Sequence, residues 1–543
     1  MSRRALVLAL LVAAACGDRR KPIAVRGDAG PSVVVVDPVK RNAQPVALVD
    51  EAEPDDDTAH AQPLEPGKGI RGTLGAPKTV RGKAVSDEDF YSWTEGGTPA
   101  PTALPPPPGS PPPPVAFNEA RIELSGVPGL DLQLEALDGD GKRLWLANDA
   151  GPGEGEVIAN LGVEPGHTYY LKVKATPPVA GGKPYELVVR SGPAPAGDER
   201  EPNDDAAHAT PLQTIGDASG FYGRRRDEDW FVLPPGPPAG TLRIELTPVE
   251  GVVPQLRVLT GAPPGPLTVL ADARAGRGEE LRLRNVGVPA SGNVYLALKA
   301  IEGRSPELRW SLKLNAEAPL EGAEHEPNDT VATATPVAFT GAARVSGFLW
   351  PGDVDVYRVA GAAPEGLVTV ELEGLDRVDL KLERLGPDGK ALVKADDGGP
   401  GKPEVLPPWP GGDLLIRVSA RSRDTAFDAP YQLTITAAPA EPNLEREPNN
   451  SPATATPWGE GPTMRGYLAP RGDEDFFRFT APAGKSKATV EVSGGAIARV
   501  LEESRAPLIG PLQTAKSYLV NVKAANDKSS NAKDPYTVTL KLE

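Results

Sequence analysis

Four times along the chain one acidic pattern returns. Glu51-Ala52-Glu53-Pro54-Asp55-Asp56 is followed by Glu199-Arg200-Glu201-Pro202-Asn203-Asp204, by Glu324-His325-Glu326-Pro327-Asn328-Asp329 and by Glu445-Arg446-Glu447-Pro448-Asn449-Asn450. These openings lie 148, 125 and 121 residues apart, and each runs into an Ala/Thr-rich stretch ending at Pro63, Pro211, Pro336 or Pro457. A second pattern begins 34, 26, 27 and 26 residues after the Glu that precedes Pro: Asp87-Glu88-Asp89-Phe90-Tyr91, Asp227-Glu228-Asp229-Trp230-Phe231, Asp353-Val354-Asp355-Val356-Tyr357 and Asp473-Glu474-Asp475-Phe476-Phe477. Each copy closes on an alternating stretch headed by an aromatic residue, at Tyr185, Trp310, Tyr431 and Tyr536. Copies of one unit must share one fold, so any fold assigned here has to work four times over.

Within each copy the hydrophobic period is two. Ala120-Arg121-Ile122-Glu123-Leu124, Leu242-Arg243-Ile244-Glu245-Leu246, Val368-Thr369-Val370-Glu371-Leu372 and Ala488-Thr489-Val490-Glu491-Val492 alternate apolar and polar. The 62 Pro and 59 Gly among 543 residues leave no room for long helices. Short alternating strands between Gly, Pro and Asp turns predict an all-β chain, a tandem array of four small antiparallel β-sandwiches with short helical turns only. The expected boundaries are 51–191 (with a Pro-rich insertion at 98–116), 198–315, 323–438 and 445–543. The one expected helical feature is a turn or two capped by Asn203 or Asp204 and stopped by Pro211. Linkers at 192–198, 316–322 and 437–444 are short and all contain Pro.

The N-terminus reads as an address. Arg3 and Arg4 precede an apolar run from Ala5 to Ala15, too short to cross a bilayer. The run ends on Ala13-Ala14-Ala15-Cys16-Gly17, and Cys16 is the only cysteine. This resembles the lipobox of bacterial lipoproteins, which implies a signal peptide over 1–15, lipidation of Cys16 and a flexible tether over 16–50. The expected location is therefore outside the cytoplasm, lipid-anchored to a bacterial membrane, with the outer membrane or cell surface favoured. With 58 Lys and Arg against 74 Asp and Glu, the net charge is −16. An acidic chain lacks the electrostatic footprint of a nucleic-acid binder, and one cysteine excludes an internal disulfide and a Cys-based zinc site.

The Glu-x-Glu-Pro-Asn-Asp opening, Ala-Thr-Ala-Thr-Pro, Asp-x-Asp-aromatic-aromatic and the closing Tyr-x-Leu-x-Val together resemble the bacterial pre-peptidase C-terminal domain. The resemblance spans residues 51–543. It implies a small jelly-roll-like β-sandwich that often carries calcium. Two carboxylates on one strand face repel unless a cation joins them, and calcium takes six to eight oxygens. Carried over, the expected metal ligands are Glu199, Glu201, Asn203, Asp204, Asp227 and Asp229 in copy two, and Glu324, Glu326, Asn328, Asp329, Asp353 and Asp355 in copy three. Copy four offers Glu445, Glu447, Asn449, Asp473 and Asp475. Copy one offers Glu51, Glu53, Asp55, Asp56, Asp87 and Asp89. The competing reading is that these acids cap a turn and solvate a loop.

No catalytic constellation emerges. The histidines are His60, His167, His208 and His325, and the place of His60 and His208 is taken by Thr333 and Thr454 in the other copies. No zinc-protease, nucleophile-elbow or P-loop pattern occurs. Trp93 and Trp230 are expected in the core, whereas Trp145, Trp350, Trp409 and Trp458 lie nearer turns and are candidates to face a ligand. The expectation is a non-enzymatic, lipid-anchored envelope protein of tandem binding or spacer modules whose partners are the membrane and an envelope or matrix polymer. An adhesin for an extracellular polysaccharide or protein matrix and an unrecognised secreted hydrolase are the alternatives.

Overall fold

The structure is a computed structural model. It describes residues 46–65, 67–97, 117–178, 183–234, 240–289, 292–421, 429–526 and 529–543, all within one compact unit spanning Ala43–Glu543. The signal peptide, Cys16, nearly all of the tether and the Pro-rich insertion lie outside the described residues.

Among the described residues the fold is all-β, and its only helical element is a 3-10 turn at Pro452–Thr454. In copy one, Lys68–Gly72, Tyr185–Pro193, Asn118–Leu124 and Glu156–Val163 form one sheet, while Gln62–Pro63, Glu88–Thr94, Thr168–Ala175, Leu132–Leu137 and Arg143–Ala147 form another. The period-two pattern turns one face of each sheet inward. Ile122 and Leu187 of the first thus meet Leu134 and Leu171 of the second, all with no exposed surface. Copies two and four repeat the arrangement with sheets of five and four strands and of four and three. In copy three the long strands Val354–Leu372 and Glu404–Ala420 pass from one layer into the other, so its strands form one continuous seven-stranded sheet. This repeated β-rich architecture fits a tandem repeat of β-sandwich type.

One pairing places the site. The Pro that ends each opening stretch sits in a two- or three-residue strand, parallel to the Asp-x-Asp strand: Gln62 pairs with Tyr91, Thr210 with Phe231, Thr335 with Tyr357 and Thr456 with Phe477. Proline is tolerated there because the strand is at the sheet edge. The opening segment is thereby laid against the strand that carries the second acidic pattern.

Three expectations need correction. Ala47–Asp50, assigned to the tether, forms a strand parallel to Lys68–Gly72. The helical turns reduce to tight turns, and the cap is Asp205, whose Oδ1 accepts from Ala207 N and His208 N, not Asn203 or Asp204. Of the tryptophans offered as ligand-facing, Trp145, Trp350 and Trp409 are buried and Trp458 packs against the copy-four core. Trp93 is in the copy-one core as expected, and Trp230 belongs to a small satellite cluster of copy two.

Four buried carboxylate clusters

The opening segment and the Asp-x-Asp strand meet at the same place in every copy. The backbone carbonyl of the residue after Pro accepts the N–H of the residue after the second Asp: Asp55 from Phe90 at 2.9 Å, and Asn203 from Trp230, Asn328 from Val356 and Asn449 from Phe476, each at 3.1 Å. This stitch brings three carboxylates together. Glu199, Glu201 and Asp229 each place an oxygen within 4.8 Å of the other two, as do Glu324, Glu326 and Asp355, and Glu445, Glu447 and Asp475. In copy one the trio is Glu53, Asp55 and Asp89, with Asp55 standing where the others have Asn; Glu51 accepts from the backbone of Thr73, as the first Glu of each other copy accepts from its own loop, and is not one of the trio. Among the described residues these groups are the ones whose donor atoms converge as a metal site requires.

The other expected ligands have other work. The first Asp of each pair clamps a loop: Asp87 Oδ2 accepts from Gly75 N at 2.6 Å, Asp227 from Gly223 at 2.6 Å, Asp353 from Trp350 at 3.3 Å and Asp473 from Ala469 at 3.1 Å. The last position of the opening pattern is exposed. Asp56 pairs with Lys78 and Asp204 with Arg224, while Asp329 accepts from the Val354 backbone and the Asn450 amide donates to Glu474 O and Asp473 Oδ1. Asn203 donates Nδ2 to Thr210 Oγ1 at 3.1 Å, which leaves its Oδ1 without a partner.

Each trio is held from outside by two residues that the sequence reading did not assign to it. The first Glu accepts a backbone N–H from a residue 22 to 24 positions on: Glu199 from Phe221 at 2.7 Å, Glu324 from Phe348 at 2.6 Å and Glu445 from Tyr467 at 2.6 Å. The preceding residue is always glycine, Gly72, Gly220, Gly347 or Gly466, since a Cβ there would collide with the Glu carboxylate. The second residue is the closing-strand tyrosine. Tyr431 donates to Asp355 Oδ2 and Tyr536 to Asp475 Oδ2, each at 2.7 Å, and Tyr185 donates to Asp89. Copy two has Trp310 in this place, and both Asp229 oxygens lack a partner. The signal was present, because a Gly recurs 21 or 23 residues after the first Glu and an aromatic residue heads each closing stretch.

These are costly places for charge. Glu199, Asp229, Glu324, Asp355 and Asp475 have no exposed surface or almost none. Burial first, then the neighbouring Glu324 and Asp329, pushes Glu326 up to about 9. Burial and the Asp475 charge push Asp473 up to about 10, and burial pushes Glu447 up to about 7. Asp55 rises to about 7 and Asp89 to about 8, again chiefly through burial. Glu199, Glu201, Asp229, Glu324, Asp355 and Asp475 are displaced strongly in the same direction by burial and by one another. Buried oxygens without a hydrogen-bond partner recur in every trio: both of Asp55 and both of Asp229, Glu201 Oε1, Glu326 Oε1, Glu447 Oε1 and Asp475 Oδ1. Buried polar atoms are normally satisfied, so these recurring oxygens have acceptor capacity that the protein's own donors leave unused. The clusters can hold a metal ion, and their all-oxygen, triply acidic donor set suits a hard one.

The histidines take no part. His60 and His208 are exposed and close turns onto Asp57 and Asp205 at 2.8 Å, a contact that Thr330 with Thr333 and Ser451 with Thr454 make through hydroxyls. The exchange of His for Thr between copies follows from that turn.

No protein-family model matches the chain, and no curated protein matches it in sequence. Among solved structures it is similar to the PBSX exported protein XepA, at 9% identity over 43% of this chain and 92% of that one with a TM-score of 0.16. It is similar also to the CUB1-EGF-CUB2 domain of human MASP-1/3, at 12% identity over 42% and 97% with a TM-score of 0.15. A triple jelly roll from the turret assembly of an archaeal virus gives 9% identity over 73% and 96% with a TM-score of 0.19. TM-scores this low define no shared fold.

Proposed function

We propose that this chain is a non-enzymatic, lipid-anchored protein of the bacterial cell envelope, built from four jelly-roll-like β-sandwich modules of pre-peptidase C-terminal type that calcium stabilises. The observation that carries the reading is the fourfold recurrence of three converging carboxylates with unpartnered buried oxygens. Glu199, Glu201 and Asp229 would hold the ion in copy two, with Asn203 Oδ1 as a further donor, and Glu324, Glu326 and Asp355 would hold it in copy three. Glu445, Glu447, Asp475 and Asn449 Oδ1 serve in copy four, and Glu53, Asp55 and Asp89 in copy one. Calcium supplies the positive charge that three buried carboxylates lack and fills oxygen valences that no protein donor reaches. The modules then act as spacers or binding units that hold a surface away from the membrane.

Two measurements test this. Calorimetric titration of the chain with calcium should show binding that magnesium does not reproduce, because magnesium demands a tighter octahedron. Cys16→Ser should move the protein out of the detergent phase, since the acyl chains supply its membrane affinity. Absence of calcium binding removes the metal reading, and a Cys16→Ser protein that partitions like wild type removes the anchor.

A further inference from the structure

The first two junctions between copies are built onto the carboxylate clusters themselves. The strand Glu156–Val163 of copy one ends against the opening segment of copy two. Gly162 N donates to Glu201 O at 2.8 Å, Leu161 bridges to Glu201 in parallel, and the buried Asn160 side chain donates to Glu199 Oε1. Copy two docks on copy three at the same place, but on the main chain of the cluster-bearing segment rather than on its carboxylates. Asn285, likewise four residues into its strand Leu281–Val288, donates Nδ2 to Glu324 O at 2.9 Å, and Gly287 lies against Glu326 O. The loop that grips the first Glu is shared too. Trp145 of copy one packs on Gly223 and under Arg224 at 4.4 Å, and Trp350 of copy three joins the core of copy two.

The third junction is different. Four residues into the strand Glu404–Ala420 stands Pro408, within Pro407-Pro408-Trp409-Pro410, which has no side-chain donor. Among the described residues, copy three makes no hydrogen bond to Glu445 or Glu447. It meets copy four through Arg471 N on Asp397 Oδ2 at 3.0 Å and through Lys533 with Glu371 at 2.8 Å.

We infer that the first two junctions are cation-dependent joints, stiffened when the clusters of copies two and three are filled, and that the third is not. This rests on the metal reading above. Glu199 with Glu201, and Glu324 with Glu326, are at once cluster members and the residues on which the preceding copy docks. Three carboxylates within 4.8 Å repel one another or must take up a proton when no cation is present, and either cost loosens the opening segment's hold on the Asp-x-Asp strand and the footing of the docked strand with it. A cation that holds the segment holds the joint. Among the described residues four ion pairs also cross the first junction, Arg121 with Glu307, Arg309 with Glu119, Arg200 with Glu164 and Arg225 with Asp149; each keeps at least one partner partly open to water, and such pairs contribute little alone.

The test uses the full chain with Cys16 replaced by serine and spin labels on cysteines introduced pairwise at exposed positions. Lys142→Cys with Glu279→Cys spans the first joint, Glu279→Cys with Lys390→Cys the second, and Lys390→Cys with Ile509→Cys the third. Calcium should narrow the distance distributions of the first two pairs at least twofold and leave the third unchanged. Asn160→Ala should abolish the narrowing at the first joint only, with the calorimetric number of calcium sites unchanged, and Asn285→Ala is the same experiment at the second. Calcium binding with no narrowing at either joint, or with equal narrowing at all three, overturns the inference and leaves the metal reading standing. Absence of any calcium binding overturns both.

Discussion

Asp355→Asn should change sign with calcium. Asp355 has an oxygen within 4.8 Å of both Glu324 and Glu326. At an effective dielectric of 20, two unit charges at that distance repel by about 3.5 kcal/mol, so two such pairs amount to about 7 kcal/mol if every group stays ionised. Protonation is the easier escape. Glu326, pushed up to about 9, takes a proton at pH 7 at a cost of about 3 kcal/mol relative to its ordinary value of 4.5. The smaller figure wins, so about 3 kcal/mol is the ceiling on what the calcium-free protein gains when one carboxylate becomes an amide. The asparagine carbonyl still accepts from Tyr431, and its N–H groups point to the remaining glutamates. With calcium at a hundredfold excess over Kd, wild type gains about 2.7 kcal/mol that the variant lacks. Hydrogen exchange of peptides covering Glu324–Asp329 reads the local opening, with the equivalent copy-four peptide as internal control. Without calcium the variant should exchange more slowly than wild type, by up to about a hundredfold for 3 kcal/mol. With calcium it should exchange faster. If the calcium-free variant opens more readily than wild type, charge repulsion does not dominate the cluster; if calcium protects both proteins equally, Asp355 is no ligand.

Acid should stabilise the calcium-free chain. A carboxyl raised from 4.5 to about 9, as in Glu326, contributes stability that is complete below 4.5 and is lost as pH rises toward 9, so urea midpoints should fall across that window and saturating calcium should flatten the slope. Gly347→Ala should cost about 1–3 kcal/mol, because its Cβ would meet the Glu324 carboxylate and the Tyr431 hydroxyl, both buried and hydrogen-bonded; denaturation that leaves the midpoint unmoved would show the loop can give way. Tyr431→Phe removes the donor to Asp355 and should cost about 1–3 kcal/mol in denaturant without calcium and less with it.

The all-β class and the segments that form the site are legible in the sequence, because period-two patterning and fourfold repetition are local signals. Ligands and clamps are not separable there. Asp353 and Asp355 share a strand face, and the pattern gives no reason to rank them. The distinction comes from the loop Phe348–Trp350, whose backbone N–H groups choose Glu324 and Asp353 as acceptors and leave Asp355 to Tyr431. Nor does the pattern show that the opening segment hydrogen-bonds to the Asp-x-Asp strand through the Asn328 carbonyl, a contact between residues almost thirty positions apart. The turn beside Trp350 is buried because it lies at a junction that a neighbouring copy covers, whereas Trp145 belongs to the strand Arg143–Ala147 and packs into copy one's own core.

The copies also differ in how much of their charge the chain itself balances. In copy one Lys78 lies 3.3 Å from Asp87 and binds Asp56; in copy two Arg224 lies 3.1 Å from Asp227 and binds Asp204. Each of these cations sits beside the trio and offsets part of its field. Among the described residues, no lysine or arginine forms an ion pair with Asp353 or Asp473, which rely on neutral donors, backbone N–H groups and, for Asp473, the Asn450 amide. Backbone dipoles stabilise a carboxylate less than a full charge does, and burial pushes Asp227 up only to about 7 against about 10 for Asp473. Copies three and four therefore carry the larger uncompensated charge, and it is there that an external cation has most to neutralise.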